Sequence, residues 1–503
     1  MIFCSFVLAV IAFVPLDDRP VTSQLPVMLG RIAGVPIETP PRTFLGKFLT
    51  PGRPDAVATW LTDATADPNV DALVVSADML AYGGLIASRV PGPTYEEASL
   101  RLASLSRART KNPPAWISVF GTLMRLAPTS VSSGTRFFAA YPAWMYLQQY
   151  ANLTDPPLHS EAALARNLRV SIGSATLDAY LATRARNLAM DRLLLQMTRA
   201  GTIDQLVIGQ DDAGISGLHV KELRSLQADL AKGSLAQHAS IEPGADDLGM
   251  ILVAHALAHD AKWSPRVAVR YSALGGASYR DPLEYGPIST AINGLIAAAG
   301  GTRDDNDPDI VLYVRVPGTT AAGDDAFLAK MGSALAAGRS VALADLSFFA
   351  SYREQAAFAQ RILASRLASR LDAYASWNTN ANTVGTALAE AIAAGAGRRM
   401  GTYDDLAHRT FTFVRFLDDY AFHDRVRPAL NASLAAQGIG DETPLGPKLL
   451  ASSTAAASVQ LRAYAGPILA QLDPGYRIDS LSIGLPWNRT FEATIEARIA
   501  PKP

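Results

Sequence analysis

Cysteine occurs once in the 503 residues, as Cys4. A single thiol excludes an internal disulfide and any cysteine-built metal centre. An excess of charge is also missing. The chain carries 45 Lys and Arg against 46 Asp and Glu, a formal net charge of −1, so no global field gathers nucleic acid or anionic lipid. Cationic residues are spread singly, as from Arg361 to Arg370, which is the pattern of a solvated helix face. No apolar run reaches the ~20 residues of a membrane-spanning helix. There is no P-loop, no Gly-x-Gly-x-x-Gly after a strand and no Gly-x-Ser-x-Gly, so nucleotide and serine-hydrolase chemistry lack their usual frames. Among seven histidines, only His255 and His259 share i, i+4 spacing, and Ala256 stands where a zinc-protease motif needs Glu. That pair reads as helix surface or hydrogen-bonded core. No metal, no cofactor and no nucleic-acid partner are expected.

The apolar stretch Phe3–Val14 has no basic residues before it. It reads as a signal-like start, as the first buried strand, or as both in succession. Its length beyond one strand tilts the reading towards export from a bacterial cell.

What is present is one repeated pattern: a short apolar run, a polar or Gly/Pro turn, then an amphipathic segment. The runs are Ala12–Leu16, Val35–Thr39, Ala72–Ser76, Trp116–Phe120, Gln205–Gly209, Ala239–Glu242, Val267–Tyr271, Ile310–Val314, Val341–Ala344 and Asp372–Ser376. Most are continuously apolar, as strands covered on both faces of a parallel sheet are. Helical periodicity lies between them, at Glu96–Thr110, Asp246–His259 and Asp324–Ala337. The expected fold is therefore α/β, mainly parallel βα repeats over residues 1–400, with a barrel-like core of the (β/α)8 type. Ten runs are two too many for eight barrel strands, so either some runs are not barrel strands or two sheets are present. A helical insertion is expected at about 126–200, broken at Asp155-Pro156-Pro157. Residues 401–503 read as a mostly helical region that ends in a strand-like segment and packs back on the core.

Ligands of parallel α/β sheets bind beyond the carboxyl ends of the strands, so the residues following each run are the candidates. They are Asp18 and Arg19 after the first run, Asp78 and Tyr82 after the third, and Arg125 after the fourth. Gln210, Asp211 and Asp212 follow the fifth, and Glu242 and Asp247 the sixth. Trp377, Asn378 and Asn382 follow the tenth. Some of these aspartates also suit helix N-caps. Gathered on one rim, however, several carboxylates repel and at least one pKa rises, which is what acid–base work near neutral pH requires. Asp211, Asp212, Asp18, Asp78 and Asp247 are read as the catalytic candidates. Arg19, Tyr82, Arg125, Gln210, Glu242, Trp377, Asn378 and Asn382 are read as substrate-binding. Aromatic faces, amides and carboxylates together suit a sugar or polyol. The expected function is glycoside hydrolysis on a small-molecule or oligosaccharide substrate. A carbohydrate-binding protein without turnover and a divalent-metal-dependent hydrolase are the alternatives.

Nine stretches carry a resemblance beyond these patterns. They are VPLDDRPV (Val14–Val21), TPPRTFLGKFLTPG (Thr39–Gly52), DALVVSADMLAYGGLIASR (Asp71–Arg89), LMRLAPT (Leu123–Thr129), LVIGQDDAG (Leu206–Gly214), EPGADDLG (Glu242–Gly249), SWNTNANTVGTALA (Ser376–Ala389), RFLDDYAF (Arg415–Phe422) and LPWNRTFE (Leu485–Glu492). In this order and over nearly the whole chain they resemble DUF4127, a family of bacterial proteins named for its unknown function. The resemblance implies no reaction. Two places depart from the family's pattern. Asp247 stands where the family has Glu, and Tyr279-Arg280-Asp281 where it has Tyr-Glu-Asp. In the last stretch, Trp487, Arg489 and Glu492 are further candidates for the rim, Trp487 reading equally as core.

Overall fold

The structure is a computed structural model that describes residues 9–127, 163, 166–167, 170, 173–212, 214–215, 217–350, 352–441 and 443–503. The chain forms two compact units. The first comprises the chain up to Asp18, Glu38–Gly249 and Arg280–Gly286; the second comprises Arg19–Ile37, Met250–Tyr279 and Pro287–Pro503.

In the first unit the apolar runs become β1 (Val10–Val14), β2 (Ile37–Glu38), β3 (Val70–Ser76), β4 (Trp116–Leu123), β5 (Gln205–Gln210) and β6 (Ala239–Pro243). They lie in the order β2-β1-β3-β4-β5-β6. β1 pairs with β3, β3 with β4, β4 with β5 and β5 with β6, all parallel. Val75, Ile117, Leu206 and Ile208 are fully buried in the core, as continuous apolar strands between helical layers must be. The covering helices include Pro54–Ala64, Tyr95–Lys111, Ser174–Arg199 and Leu218–Lys232. The second of these opens with a reciprocal capping box between Thr94 and Glu97, which satisfies two end donors at once.

The second unit contains β7 (Arg266–Tyr271), β8 (Thr302–Arg303), β9 (Ile310–Arg315), β10 (Ser340–Asp345) and β11 (Ala373–Ala375). Their order is β11-β10-β9-β7-β8, again with parallel pairing throughout. The helix Asn380–Met400 is buried over nearly its whole length. An eleven-residue π-helix, Phe416–Val426, follows the helix Asp405–Arg415. The strand-like C-terminal segment is an antiparallel hairpin, β12 (Tyr476–Gly484) with β13 (Thr494–Pro501).

Read from its β8 edge, the second sheet has its strands in the order second, first, third, fourth, fifth. The first sheet has the same order, with β6 added. Both are open doubly wound sheets. The barrel expected from the sequence is thereby corrected: closure needs the last strand to meet the first, but the first sheet ends on β2 and β6 and the second on β8 and β11. The physical reason lies in the third strand of each unit. It pairs on the side of the first strand opposite to the second, so the sheet grows outward from an internal switch point. Each of the ten apolar runs overlaps a strand, six in the first sheet and four in the second. The helical insertion expected at about 126–200 falls mostly on residues outside those described, including the break at residues 155–157, but its end, Ser174–Arg199, is helix. No helix among the described residues is long and apolar enough to cross a membrane.

Candidate functional site

Because β1, β3, β4, β5 and β6 run parallel, their carboxyl ends share one edge of the first unit. Asp17 and Asp18 follow β1. Asp78 lies in the first turn of the short helix Ala77–Tyr82, which starts directly off β3 and is capped by Ser76 Oγ accepting from Met79 N at 3.2 Å. Thr122 is the penultimate residue of β4, Gln210 ends β5 ahead of Asp211 and Asp212, and β6 carries Glu242 ahead of Asp246 and Asp247. Gly209 lets this edge close up. A Cβ there would stand 2.4 Å from the carbonyl of Gly244 and 2.5 Å from Leu248 Cδ1.

The rim carboxylates occupy contrasting surroundings. Asp211 is buried and accepts from Arg89 Nη2, itself buried. Asp212 accepts from Arg125 Nη1 at 2.6 Å and keeps 32% of its side chain exposed. It sits at φ +23°, an uncommon backbone for a residue with a Cβ and one that concentrates at functional sites. Burial and the Asp211 charge raise its pKa. Asp78 accepts from Thr122 Oγ1 at 3.0 Å, and burial pushes its carboxyl up to about 6. Burial pushes Glu242 up to about 7. Asp247 is the extreme case. It is fully buried, neither oxygen has a hydrogen-bond partner, and burial, reinforced by Asp246, Glu284 and Glu242, raises its pKa far above the ordinary range. Asp18 lies 3.7 Å from Arg42 Nε. The Gln210 side-chain N–H2 is buried without an acceptor. Tyr82 is buried with its ring 4.3 Å beneath the Arg186 guanidinium. Behind the rim, Asp78, Thr122, Asn187 and Asp191 line a small cavity with about 10 Å³ of room for the centre of a water molecule, enough for one.

The remaining candidates belong to the second unit. Arg19 is buried, donates to Glu492 at 3.2 Å and stacks 4.8 Å from the Trp487 ring. Trp487 is itself 5% exposed. Trp377 is 3% exposed, and its indole N–H donates to Thr386 Oγ1 at 3.0 Å. Asn378 takes φ +54°. Asn382 is buried, with its Oδ1 lacking a donor.

Sequence reasoning passed over several charged residues. Arg89 holds Asp211, and Asp191, on the helix Ser174–Arg199, has a buried oxygen without a donor and a pKa raised by burial and by Asp78. Neither follows an apolar run, so the strand-end rule did not reach them. Arg89 does close the stretch DALVVSADMLAYGGLIASR. In the second unit, Asp345, which directly follows the run Val341–Ala344 and so was within reach of the strand-end rule, ends β10, while Asp418, Asp419 and Asp424 sit on the π-helix within RFLDDYAF and just beyond it. His255, by contrast, is half-buried, its Nδ1 lying 3.0 Å from the Ala298 carbonyl. Among the described residues no group of three or more His, Cys, Asp or Glu is arranged to hold a metal ion.

Two open parallel sheets with carboxylate-bearing strand ends define a two-unit α/β protein. The chain belongs to DUF4127, a family described as "protein of unknown function", whose model matches residues 11–496. No curated protein matches it. A solved structure with some likeness is the complete multifunctional pyruvate carboxylase from Rhizobium etli, at 10% identity and a TM-score of 0.19, over 92% of this chain and 36% of that one. The chain spans about a third of that protein's length, and a likeness this slight carries no argument about fold or chemistry.

Proposed function

We propose that the strand-end rim of the first unit is an acid–base site that hydrolyses a glycosidic bond. The observation that carries this reading is the contrast among its carboxylates. Asp211 and Asp212 are each held by a guanidinium, whereas Asp247 is fully buried, has no hydrogen-bond partner on either oxygen, and has its pKa raised by that burial. Carboxylates paired with cations, set beside one whose burial favours the protonated form, suit the division of labour that general acid–base hydrolysis needs. Asp212, the more exposed of the pair, faces substrate. Asp211 fixes Arg89 beside it, and Asp247, with Glu242 next to it on β6, supplies the proton. Gln210 offers an unused donor to a sugar hydroxyl, and Asp18 and Asp78 extend the polar edge. A panel of aryl glycosides, N-acetylated hexosides included, tests this with wild type, Asp211→Asn and Asp212→Asn. The expected loss is about 10²–10⁴-fold in rate. Full activity in both variants overturns the assignment.

The complete enclosure of Asp247 favours a second reading, in which the rim binds a sugar or polyol without turnover. Saturable binding of panel sugars with no hydrolysis supports that reading instead.

A further inference from the structure

The second unit repeats the strand order of the first and so has strand ends of its own. β9 ends at Arg315 and β10 at Asp345, and Ser376 follows β11. The π-helix Phe416–Val426 brings Asp418, Asp419, His423 and Asp424 to this group. Asp419 accepts from Ser376 N at 2.7 Å, Ser376 Oγ donates to the Asp345 carbonyl at 2.9 Å, and Arg315 Nη1 lies 3.2 Å from Asp345. π-helical geometry is usually confined to single turns and concentrates at functional sites. An eleven-residue stretch of it therefore calls for a reason.

The carboxylates of the cluster are unequally served. Arg415 pairs with Asp418 and Asp419 and Arg315 with Asp345, Arg315 being also engaged by Asp324, whereas Asp424 makes no hydrogen bond, although the Arg425 charge acts on it. His423 Nε2 lies 3.6 Å from Asp418 Oδ1, and burial, with Arg427 and Arg415 beside it, lowers its pKa well below the usual range. Both oxygens of Asp424, Oδ2 of Asp345 and Oδ1 of Asp418 have no hydrogen-bond partner, although none of these residues is more than 8% exposed. Buried groups of this kind are normally satisfied. Beside the cluster, Phe349 is 44% exposed and packs edge-on to Phe348, which in turn packs on His423 at 5.0 Å. An aromatic face beside unpaired carboxylates suits a cation.

We propose that this rim is a second binding site, which takes a small organic cation, an ammonium- or guanidinium-bearing molecule, between Asp345, Asp418 and Asp424. Directional N–H donors match the unpaired oxygens, and a charged donor makes the stronger hydrogen bond to a carboxylate. Without a cation the cluster keeps a proton instead: burial next to Asp345 and Asp419 pushes Asp424 up to about 9. The test is calorimetric titration of the full chain with agmatine, which carries both cationic groups, and with neutral 1,4-butanediol. Agmatine is expected to bind and butanediol not. Asp424→Asn is expected to weaken agmatine at least about tenfold. Phe349→Ala, an exposed substitution that leaves the core intact, is expected to weaken it a few-fold. No agmatine heat at millimolar concentration, equal affinity for the diol, or unchanged affinity in Asp424→Asn overturns the proposal. Should that variant not fold, unchanged affinity in Phe349→Ala does so.

Discussion

Arg89 donates to Asp211 across 122 residues of sequence, and their side chains are 4% and 6% exposed. A guanidinium so enclosed depends on its carboxylate, since removing one partner strands the other's charge in a poor solvent.

Arg89→Ala is therefore expected to cost about 3–5 kcal/mol of stability in the first unit. Arg125→Ala opens a pair whose side chains are 21% and 32% exposed, and its cost is expected to stay under about 1 kcal/mol. Denaturant unfolding of the two variants side by side measures the difference. Equal losses contradict the burial argument.

The raised carboxyls set the pH dependence of stability. Asp78 moves from 3.8 to about 6 and Glu242 from 4.5 to about 7. The folded state thus binds these protons more tightly than the unfolded chain does. Their contribution is fully present below the unfolded values and is lost as pH rises through 6 to 7. Wild type should lose stability from pH 4 to 8 on account of these groups, on the order of 3 kcal/mol for each. Asp78→Asn and Glu242→Gln should each flatten the curve, and unfolding midpoints measured across that range check the sign.

Gly209 is confined by the turn after β6, where an added Cβ meets the Gly244 carbonyl at 2.4 Å. Gly209→Ala is expected to cost about 1–3 kcal/mol and to lower turnover by displacing Asp246 and Asp247. A variant that is destabilised with undiminished kcat separates packing from the site. Wild-type stability would mean that the turn yields freely.

Trp377 belongs to the packed interior of the second unit, its indole N–H donating to Thr386. Trp377→Ala is expected to cost about 3–5 kcal/mol, and Thr386→Val about 1–3 kcal/mol for the stranded N–H. Thermal unfolding measures both. A near-neutral Trp377→Ala shows the indole to be dispensable for packing.

The strands were legible because burial on both faces makes them continuously apolar, and β7, β9 and β10 begin and end within a residue or two of their runs. β8 was not, since two exposed residues, Thr302 and Arg303, leave no hydrophobic trace. Sheet closure was equally invisible. A strand's neighbours are chosen by the direction of its crossover, which local composition does not record, so one barrel and two open sheets read alike in sequence. The same limit hid the repeat of strand order, which leaves no repeated residues. Asp78, Asp211 and Asp247 could be read because they directly follow strands. Arg89 and Asp191 come to the first unit's rim from helical segments, and Asp424 comes to the second unit's from a π-helix. Only tertiary packing brings them there.

The most direct measurement is the pH profile of kcat/KM on the best glycoside of the panel, for wild type and Asp247→Asn. The account predicts a bell for wild type, its basic limb set by a carboxylic acid that must stay protonated, and a loss of about 10²–10⁴-fold with that limb abolished in the variant. A wild type that hydrolyses nothing on the panel, or an Asp247→Asn profile superimposable on wild type, contradicts it.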